Sequence, residues 1–349
     1  MRAIRNTEAL TIRLSAVLFG AILTAGALAP LPSHAQSVAD FYKGKTINLL
    51  IGVGVGGEYD LHARLSGRHI GKHIPGNPTV VPQNMTGAGG LKMANYLYNV
   101  APKDGTSLGM IANNFPMMQA VGAHGVQFDA TKMQWIGSIA PTVETMAVWH
   151  TAGITSVEEA RQKEIVVGAS GRGAITFTFP TAMNEFLGTK FKIVTGYEGG
   201  NAINLAMERG EIQARDNTWS SWKVTKADWL RDKKITIIAY AGPKPKDLPG
   251  VPSLSELAKS DDDRKILDLI NSGTEFGRPL ATTDGVPADR VKALRDAFMA
   301  TMADKEFLAE AEKLNIEVDP VRGEHMQELA AKLMTTPKNL AARAKAIVE

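Results

Sequence analysis

Short apolar segments that alternate with helix-like stretches are the feature that most constrains the fold of this chain. Such alternation is typical of α/β domains with largely parallel sheets. From residue 286 the pattern becomes helical, and two or three amphipathic helices are expected to complete the chain. The predicted strands are 46–51, 79–82, 107–112, 146–150, 165–168, 193–195 and 235–240. The predicted helices before residue 286 are 58–73, 91–100, 156–163, 175–187, 202–209 and 219–231.

A glycine-rich loop follows the first predicted strand. Gly52, Gly54 and Gly57 fit G-x-G-x-x-G, the spacing that lets a dinucleotide pyrophosphate approach a helix N-terminus. A dinucleotide site also needs an acidic residue at the end of the second strand, roughly 20 residues further on. The sequence has Pro82-Gln83-Asn84 there. We therefore expect no nicotinamide or flavin cofactor, and interpret the loop as a site for another anion.

The first 35 residues have the layout of a secretory signal peptide. Arg2, Arg5 and Arg13 accompany an Ala/Leu-rich apolar run at 14–31, and Ser33-His34-Ala35 places small residues where a signal peptidase reads them. We expect cleavage after Ala35 and export to the periplasm. The alternative is a membrane anchor, because a run of about eighteen apolar residues is near the lower limit for spanning.

Composition excludes several classes of protein. The 349 residues contain no cysteine, which excludes disulfides, thiolate nucleophiles and cysteine metal sites. The formal net charge of +3 would fall to about +1 on loss of the three arginines and one glutamate of the leader, so charge does not indicate nucleic-acid binding. The remaining length suits two domains.

Basic residues are concentrated in one segment. No acidic residue lies between Asp60 and Asp104. A segment of one sign is a candidate surface for attracting anions, and the alternative is a solvated basic face balanced by acids from elsewhere. The basic residues of this segment are Arg64, Arg68, Lys72, Lys92 and Lys103.

Four further loops resemble the first, and each follows a predicted strand. They lie at 84–90, 169–173, 197–201 and 215–218, and all but the last contain glycine. Loops of this kind present backbone N–H groups at helix N-termini, where the helix dipole favours a carboxylate or phosphate. Ligands of α/β sheets collect beyond the carboxyl ends of the strands. One such loop is explained by a tight turn, whereas several together indicate an anion site between two halves of the chain.

These motifs resemble the receptors of tripartite tricarboxylate transporters, the Bug-type solute receptors. The run YKGKTINLLIGVGVGGEYD, the loop QNMTGAGG and the segment APKDGTSLGMIA are similar to that family's successive P-x-P-P-G-G-x-x-D, N-x-P-G-A-G-G and A-x-P-D-G-Y-T-L motifs. GASGRG, GYEGGNAI and DLPGVPSLSEL resemble motifs of its second half. The resemblance covers nearly all of the chain after the leader. The family's prolines are absent from the first loop, and Glu198 stands where lysine is usual.

The resemblance implies two Rossmann-like α/β domains of the periplasmic-binding-protein type II architecture, with a central ligand cleft. The first domain would comprise 36–138 plus 276–349 and the second 139–275. Two crossing segments would allow Venus-flytrap closure on a small organic carboxylate. The implied partner is a two-subunit membrane transporter, and the receptor would be a monomer without cofactor, metal or catalytic residue.

The expected ligand-binding residues come from the glycine loops and their neighbours. In the first half they are Val55, Gly56, Gly57, Tyr59, Asp60, Asn84, Gly87, Ala88, Gly89 and Asn113. In the second half they are Ser170, Gly171, Arg172, Gly173, Thr176, Tyr197, Gly199, Gly200, Asn201, Asp216 and Trp219.

Three of these assignments leave alternatives open. Arg172 is predicted to pair with a ligand carboxylate, or to be a solvated loop arginine. Trp219 and Trp222 could line a pocket wall or belong to the core. His69 and His73 have a spacing that can hold zinc, but a half-exposed helix face explains them better, and no metal is expected.

Two other functions are compatible with the same cleft. An exported α/β hydrolase would need a nucleophile and a base, and we find no Ser/His/Asp arrangement in a persuasive context; GASGR lacks the last glycine of G-x-S-x-G. A sensor that presents its ligand to a signalling receptor would have the same sequence features as a transport receptor.

Overall fold

The computed structural model describes residues 36–349, so the predicted leader and its cleavage site after Ala35 lie outside the described residues. Within that range the chain forms two mixed β-sheets flanked by helices. The strands are β1 Thr46–Ile51, β2 Thr79–Asn84, β3 Ser107–Met110, β4 Gln134–Ser138, β5 Glu144–Trp149, β6 Ile165–Gly168, β7 Phe191–Val194, β8 Ala214–Thr218, β9 Ile235–Ala241, β10 Pro279–Thr282 and β11 Val321–Arg322.

Helices fill the intervals between the strands and the end of the chain. They are α1 Val38–Tyr42, α2 Glu58–Ile70, α3 Leu91–Asn99, α4 Phe115–Ala120, α5 Val157–Ala160, α6 Ile175–Ala182, α7 Gly200–Glu208, α8 Trp219–Thr225, α9 Ala227–Arg231, α10 Leu254–Leu257, α11 Asp261–Ile270, α12 Gly273–Phe276, α13 Ala288–Met302, α14 Lys305–Lys313, α15 Gly323–Leu333 and α16 Lys338–Val348. The predicted helix 219–231 is two helices separated by Lys226, whose backbone is not helical. Four helices follow residue 286, where two or three were expected.

The parallel parts of both sheets bring several loops to common edges. In the first sheet, ordered β11-β4-β10-β3-β1-β2, the end of β1 pairs with the ends of β2 and β3. In the second sheet, ordered β7-β6-β8-β5-β9, β6 is parallel to both β7 and β8. The loops that leave β1 and β2 therefore emerge side by side, as do those that leave β6 and β7.

The sheets contain more antiparallel pairing than the sequence predicted. Strand β10 runs antiparallel to β3 and β4, and β5 runs antiparallel to β8 and β9. Sequence reasoning also assigned Arg215–Thr218 to a loop, whereas those residues belong to β8, buried at all five positions. The sequence of β8, ARDNT, is too polar to be recognised as a central strand. Strand β8 nevertheless lies between β6 and β5 and carries its polar side chains into the interior.

The chain passes twice between the two sheets. The first sheet takes its strands from residues 46–138 and 279–322, and the second from 144–241. The connecting segments are therefore 139–143 and 242–278. The predicted domain boundaries at 138/139 and 275/276 stay a prediction.

Apolar side chains fill the space between each sheet and its helices. Ile47, Leu49 and Ile51 of β1 are almost fully buried and belong to the same cluster as Leu65 of α2. Burial of each such side chain contributes about 1.5–3 kcal/mol. None of the helices in the described range is long and apolar enough to cross a membrane.

Candidate functional site

The loops at the carboxyl ends of β1, β2, β6 and β7 surround one cleft between the two sheets. The loop after β1 and the loop after β7 touch, because the backbone N–H of Gly54 donates to the carbonyl of Glu198 at 2.9 Å. The other two loops also touch: a Cβ on Gly89 would lie 2.9 Å from the nitrogen of Ala174, and one on Gly171 would lie 2.9 Å from the nitrogen of Gly89. Glycine at these positions lets the two halves of the chain approach closely.

Three helices begin at this cleft without a side-chain cap. The N-cap residues of α2, α6 and α7 are Gly57, Ala174 and Gly199, and none makes a side-chain hydrogen bond to its helix. All three residues line the cleft. The first backbone N–H groups of a helix have no acceptor within it, so uncapped N-termini offer donors and a favourable dipole to an anion. The arrangement can therefore bind a carboxylate.

A buried ion pair closes one side of the cleft. Glu58 of α2 accepts a hydrogen bond from the guanidinium of Arg278, which lies just before β10. The hydroxyls of Thr218 and Ser220 each donate to Glu58 at 2.5 Å. Arg278 also lies over the ring of Tyr59, 4.1 Å from its centroid. Glu58 thereby connects the helix after β1 to β8, α8 and one crossing segment.

The ion pair changes the protonation of its neighbours. Burial favours the neutral form of Glu58, but Arg278 and the two hydroxyls outweigh it and lower the pKa of Glu58 to about 2. Burial also lowers the pKa of His62 to about 4, despite the nearby Glu58 carboxylate at 3.7 Å. Near neutral pH, Glu58 is ionised and His62 is neutral.

Three more ionisable groups line the same cleft. Arg215 donates from Nη1 to Gly200 O and Asn204 Oδ1, both at 2.7 Å, and from Nε to the carbonyl of Asp216 at 3.0 Å. Burial raises the pKa of Asp216 well above its ordinary value, and the neighbouring Glu144 raises it further. Burial also raises the pKa of Glu144, whose Oε1 accepts from Asn113 Nδ2 at 3.1 Å.

The cleft is lined by both polar and apolar groups, and about 90 Å³ of it is open to the centres of water-sized groups. That is several times the roughly 10–15 Å³ that one water needs, so the cleft has room for a small organic molecule.

The structure brings about half of the predicted site residues to the cleft wall. Those that line it are Gly56, Gly57, Tyr59, Gly89, Asn113, Ser170, Thr176, Gly199, Gly200 and Asp216. An adjacent hollow is lined by Gly87, Ala88 and Tyr197. Among the described residues, those outside both linings are Val55, Asp60, Asn84, Gly171, Arg172, Gly173, Asn201 and Trp219. Their roles as ligand contacts stay predictions.

Several of the outlying residues have clear structural roles. Asp60 accepts from the backbone N–H of Gly56 at 3.0 Å and from Arg64 and Asn84, so it holds the first loop. Arg172 donates to the backbone carbonyl of Glu349. Trp219 donates to Asp247 at 2.8 Å on the outside of α8.

Trp222 belongs to the core. It is completely buried and donates to Thr145 Oγ1 at 3.0 Å. It also packs beside Trp229, with ring centroids 6.0 Å apart.

The basic segment after Asp60 is balanced by acids from elsewhere in the chain. Arg68 pairs with Glu310, and Lys103 pairs with Asp284 at 2.5 Å. Lys72 lies within 2.7 Å of Asp304 and 2.6 Å of Glu306. Of the two interpretations, the structure favours the solvated basic face.

The histidines of α2 also have acidic partners. His69 lies 2.7 Å from Glu310, and His73 lies 2.8 Å from Asp304. Ligand atoms of His69, Asp304 and Glu306 come within 4.8 Å of one another. The ammonium group of Lys72 bridges the two acids, so it already provides the positive charge a metal ion would supply there.

Sequence reasoning missed the charged and amide residues that dominate the cleft. Four of them lie near the crossing segments or inside strands. Of these four, Arg215 and Asn217 belong to the predicted loop 215–218 but were not assigned as ligand contacts. The only signal was the occurrence of charges within buried runs, such as Arg215 before Asp216. The missed lining residues are Glu58, Asn114, Glu144, Arg215, Asn217 and Arg278.

Comparison with known proteins identifies the fold. No family model matches the chain. BugD, a periplasmic binding protein of known structure, superposes with a TM-score of 0.68 over 88% of this chain and 98% of its own, at 19% sequence identity. The chain has the fold of a Bug-type periplasmic binding protein. The predicted resemblance is thus confirmed at the level of the fold, as is the prediction of a type II periplasmic-binding-protein architecture.

Two further structures share this Bug-type fold and contain carboxylates. MatC from Rhodopseudomonas palustris, solved with malate, has a TM-score of 0.67 at 16% identity, over 87% of this chain and 99% of its own. An R. palustris protein solved with adipate has a TM-score of 0.65 at 18% identity, over 86% and 97%. In sequence, a UPF0065 protein from the gbd 5' region of Cupriavidus necator is 24% identical over 323 residues, covering 89% of this chain and 90% of that protein.

Proposed function

We propose that this protein is a periplasmic solute receptor that captures a small organic carboxylate and delivers it to a tripartite tricarboxylate-type membrane transporter. The observation that carries the proposal is the convergence of three uncapped helix N-termini, those of α2, α6 and α7, on one enclosed cleft. Neighbours of the same fold were solved with malate and adipate, which supports this class of ligand.

Binding would involve closure of the two predicted domains around the ligand. The contacts between Gly54 and Glu198, and between Gly89 and Ala174, join loops from the two sheets. Their separation would open the cleft to solvent, and the crossing segments would act as hinges. The transporter would then distinguish the closed receptor from the open one.

Thermal unfolding against a panel of ligands tests the proposal. The panel contains mono-, di-, tri- and aromatic carboxylates, amino acids and nicotinamide cofactors. A ligand at 100 times its Kd adds about 2.7 kcal/mol to the unfolding free energy, so a specific carboxylate should raise the midpoint clearly. A shift only with a nucleotide, or no shift with any carboxylate, would contradict the proposal.

Delivery to a transporter needs its own experiment. A strain lacking this protein should take up the identified ligand more slowly, and neighbouring genes for two membrane subunits would support the same partner. Normal uptake with a lost transcriptional response would instead support a sensor. Labelling of a serine by a phosphonate probe would support the hydrolase alternative.

A further inference from the structure

Glu58 joins the two sheets of the protein through direct side-chain hydrogen bonds. It is the first residue of α2, directly after the loop that leaves β1 of the first sheet. One of its carboxylate oxygens accepts from Thr218 Oγ1 at the end of β8, and the other accepts from Ser220 Oγ on α8, each at 2.5 Å. Strand β8 belongs to the second sheet, and α8 follows it directly. The Glu58 side chain is almost completely buried, so water does not compete for these bonds.

Arg278 completes the network from the crossing segment 242–278. Its Nη2 donates to the Glu58 carboxylate and, at 2.9 Å, to Thr218 Oγ1. The same hydroxyl oxygen accepts from the backbone N–H of Ser221 at 3.2 Å, so its own hydrogen is left to donate to Glu58. Hydrogen bonds to an ionised group are about twice as strong as those between neutral groups. The network therefore ties α2 to β8 and α8 with charge-assisted bonds.

Apolar and backbone contacts run alongside this network. Val224 of α8 packs against the hydrophobic cluster that contains Leu65 of α2. At the neighbouring loops, the backbone N–H of Gly54 donates to the carbonyl of Glu198 at 2.9 Å. Helices α2 and α8 are thus in contact through polar and apolar side chains at once. Any separation of the two sheets at this edge must break both kinds of contact.

We propose, on the basis of the receptor function above, that Glu58, Thr218, Ser220 and Arg278 form a closure latch that holds the cleft closed before a ligand binds. Thr218 and Ser220, both within the described range, line neither the cleft nor the adjacent hollow. The two hydroxyls therefore act on the ligand only through closure, and they are positioning residues rather than ligand contacts. The latch is distinct from the uncapped helix N-termini, which the ligand would contact.

The latch would set how often the cleft opens. Opening would bring the Glu58 carboxylate into water and break its bonds to both hydroxyls. A hydrogen bond to a charged group contributes enough to change an equilibrium constant by roughly 10- to 100-fold. The ligand-free protein would therefore be closed most of the time, and each exchange of ligand would wait for a brief opening.

Single introduced thiols measure opening in the ligand-free protein, because the chain contains no cysteine. Ser221→Cys places a thiol on the cleft wall at a residue that is 4% exposed, where a bulky reagent such as DTNB should react only when the cleft opens. Ala63→Cys places a thiol at a completely buried position of α2, which should react only on global unfolding. No ligand is added, so the outcome does not depend on which ligand the receptor binds.

Ser220→Ala removes one hydroxyl of the latch and leaves the buried ion pair in place. We expect it to speed the reaction of the Ser221→Cys reporter by at least about tenfold, with that reporter always reacting faster than Ala63→Cys. Ser255→Ala is the matched control, because it also removes a hydroxyl that donates to a carboxylate at 2.5 Å, but on α10. It should leave the rate at Ser221→Cys unchanged. Urea denaturation verifies that each variant folds.

Three results would overturn the latch. An unchanged Ser221→Cys rate in Ser220→Ala would show that the hydroxyl does not oppose opening. Reaction of Ser221→Cys as fast as that of an exposed thiol, without the Ser220 change, would show that the ligand-free cleft is already open. Equal rates for the Ser221→Cys and Ala63→Cys reporters would show that the cleft wall is reached only by global unfolding. All three would leave the receptor function to be judged by the ligand panel.

Discussion

Replacing Glu58 by Gln tests whether the buried ion pair holds the two sides of the cleft together. The substitution keeps the shape of the side chain and removes its charge, which leaves Arg278 buried without an anionic partner. Glu58 is 5% exposed, so solvent cannot replace that partner. Removing one member of a buried ion pair typically costs about 3–5 kcal/mol.

The pKa of Glu58 gives an independent magnitude. A pKa of about 2 in the folded protein, against an ordinary value of 4.5, corresponds to about 3 kcal/mol of stability from the ionised form. Because the folded pKa is lowered, this stability is present above pH 4.5 and is lost as the pH falls through 2. Glu58→Gln should therefore reduce the unfolding free energy by about 3 kcal/mol at pH 7, and by only about 1 kcal/mol at pH 3, where much of the advantage of the wild type is already lost.

Urea denaturation at the two pH values measures both quantities. The exposed Glu164→Gln serves as the control and should stay within about 0.5 kcal/mol of the wild type at each pH. A loss below about 1 kcal/mol at pH 7 would show that the pair contributes little. An equal loss at both pH values would show that the effect is steric rather than electrostatic. Either result would refute the reasoning.

Three further predictions concern single residues of the same region. His62 has a pKa of about 4 in the folded protein against an ordinary 6.5, so the wild type should lose about 2 kcal/mol of unfolding free energy between pH 7 and pH 5. Urea denaturation of His62→Leu should not show this loss. The same pH slope in the variant and the wild type would contradict the prediction. Asp216 has a raised pKa in the folded protein, so its contribution to stability is lost as the pH rises from about 3.8. The unfolding free energy of ligand-free Asp216→Asn, measured by the same assay, should therefore rise relative to that of the wild type between pH 4 and pH 7. Parallel stability curves for the variant and the wild type would argue against this prediction. A Cβ on Gly277, at φ +64°, would lie 1.8 Å from the carbonyl oxygen of Ala140 in the other crossing segment. Gly250 has a similar backbone conformation, at φ +79°, but nothing lies within 4 Å of an added Cβ, so Gly277→Ala should lower the melting temperature far more than Gly250→Ala. Similar losses for the two variants would mean that the crossing segments move apart freely.

The parts of the fold that the sequence predicted depend on local patterns. Residues 46–51 are a short apolar run followed by glycine, residues 165–168 are one that ends in glycine, and both are strands at the predicted positions. The loops after them lie at the cleft because parallel strands end at the same edge of a sheet. Periodicity and turn residues are properties of neighbouring positions, so they are readable without knowledge of the tertiary structure.

The parts that escaped prediction depend on contacts between distant positions. The strand Pro279–Thr282 is absent from the predicted strands, and it is a strand because it is inserted between β3 and β4. The Glu58–Arg278 pair joins residues 220 positions apart. No spacing rule relates such residues. The basic segment after Asp60 is likewise ambiguous in sequence, because its acidic partners Glu306 and Glu310 come from the distant α14.

The choice of ligand in the cleft depends more on its charged side chains than on the glycine loops. The loops offer N–H donors, which suit any small anion. Arg172, which the sequence predicts either to pair with a ligand carboxylate or to be a solvated loop arginine, donates to Glu349 in this structure. Of the cations that line the cleft, Arg215 donates to three oxygen acceptors, whereas Arg278 is paired with Glu58 and keeps its Nε without a partner. Glu144 and Asp216 also line the cleft, where burial raises the pKa of both and so favours their neutral, hydrogen-bond-donating form over the carboxylate.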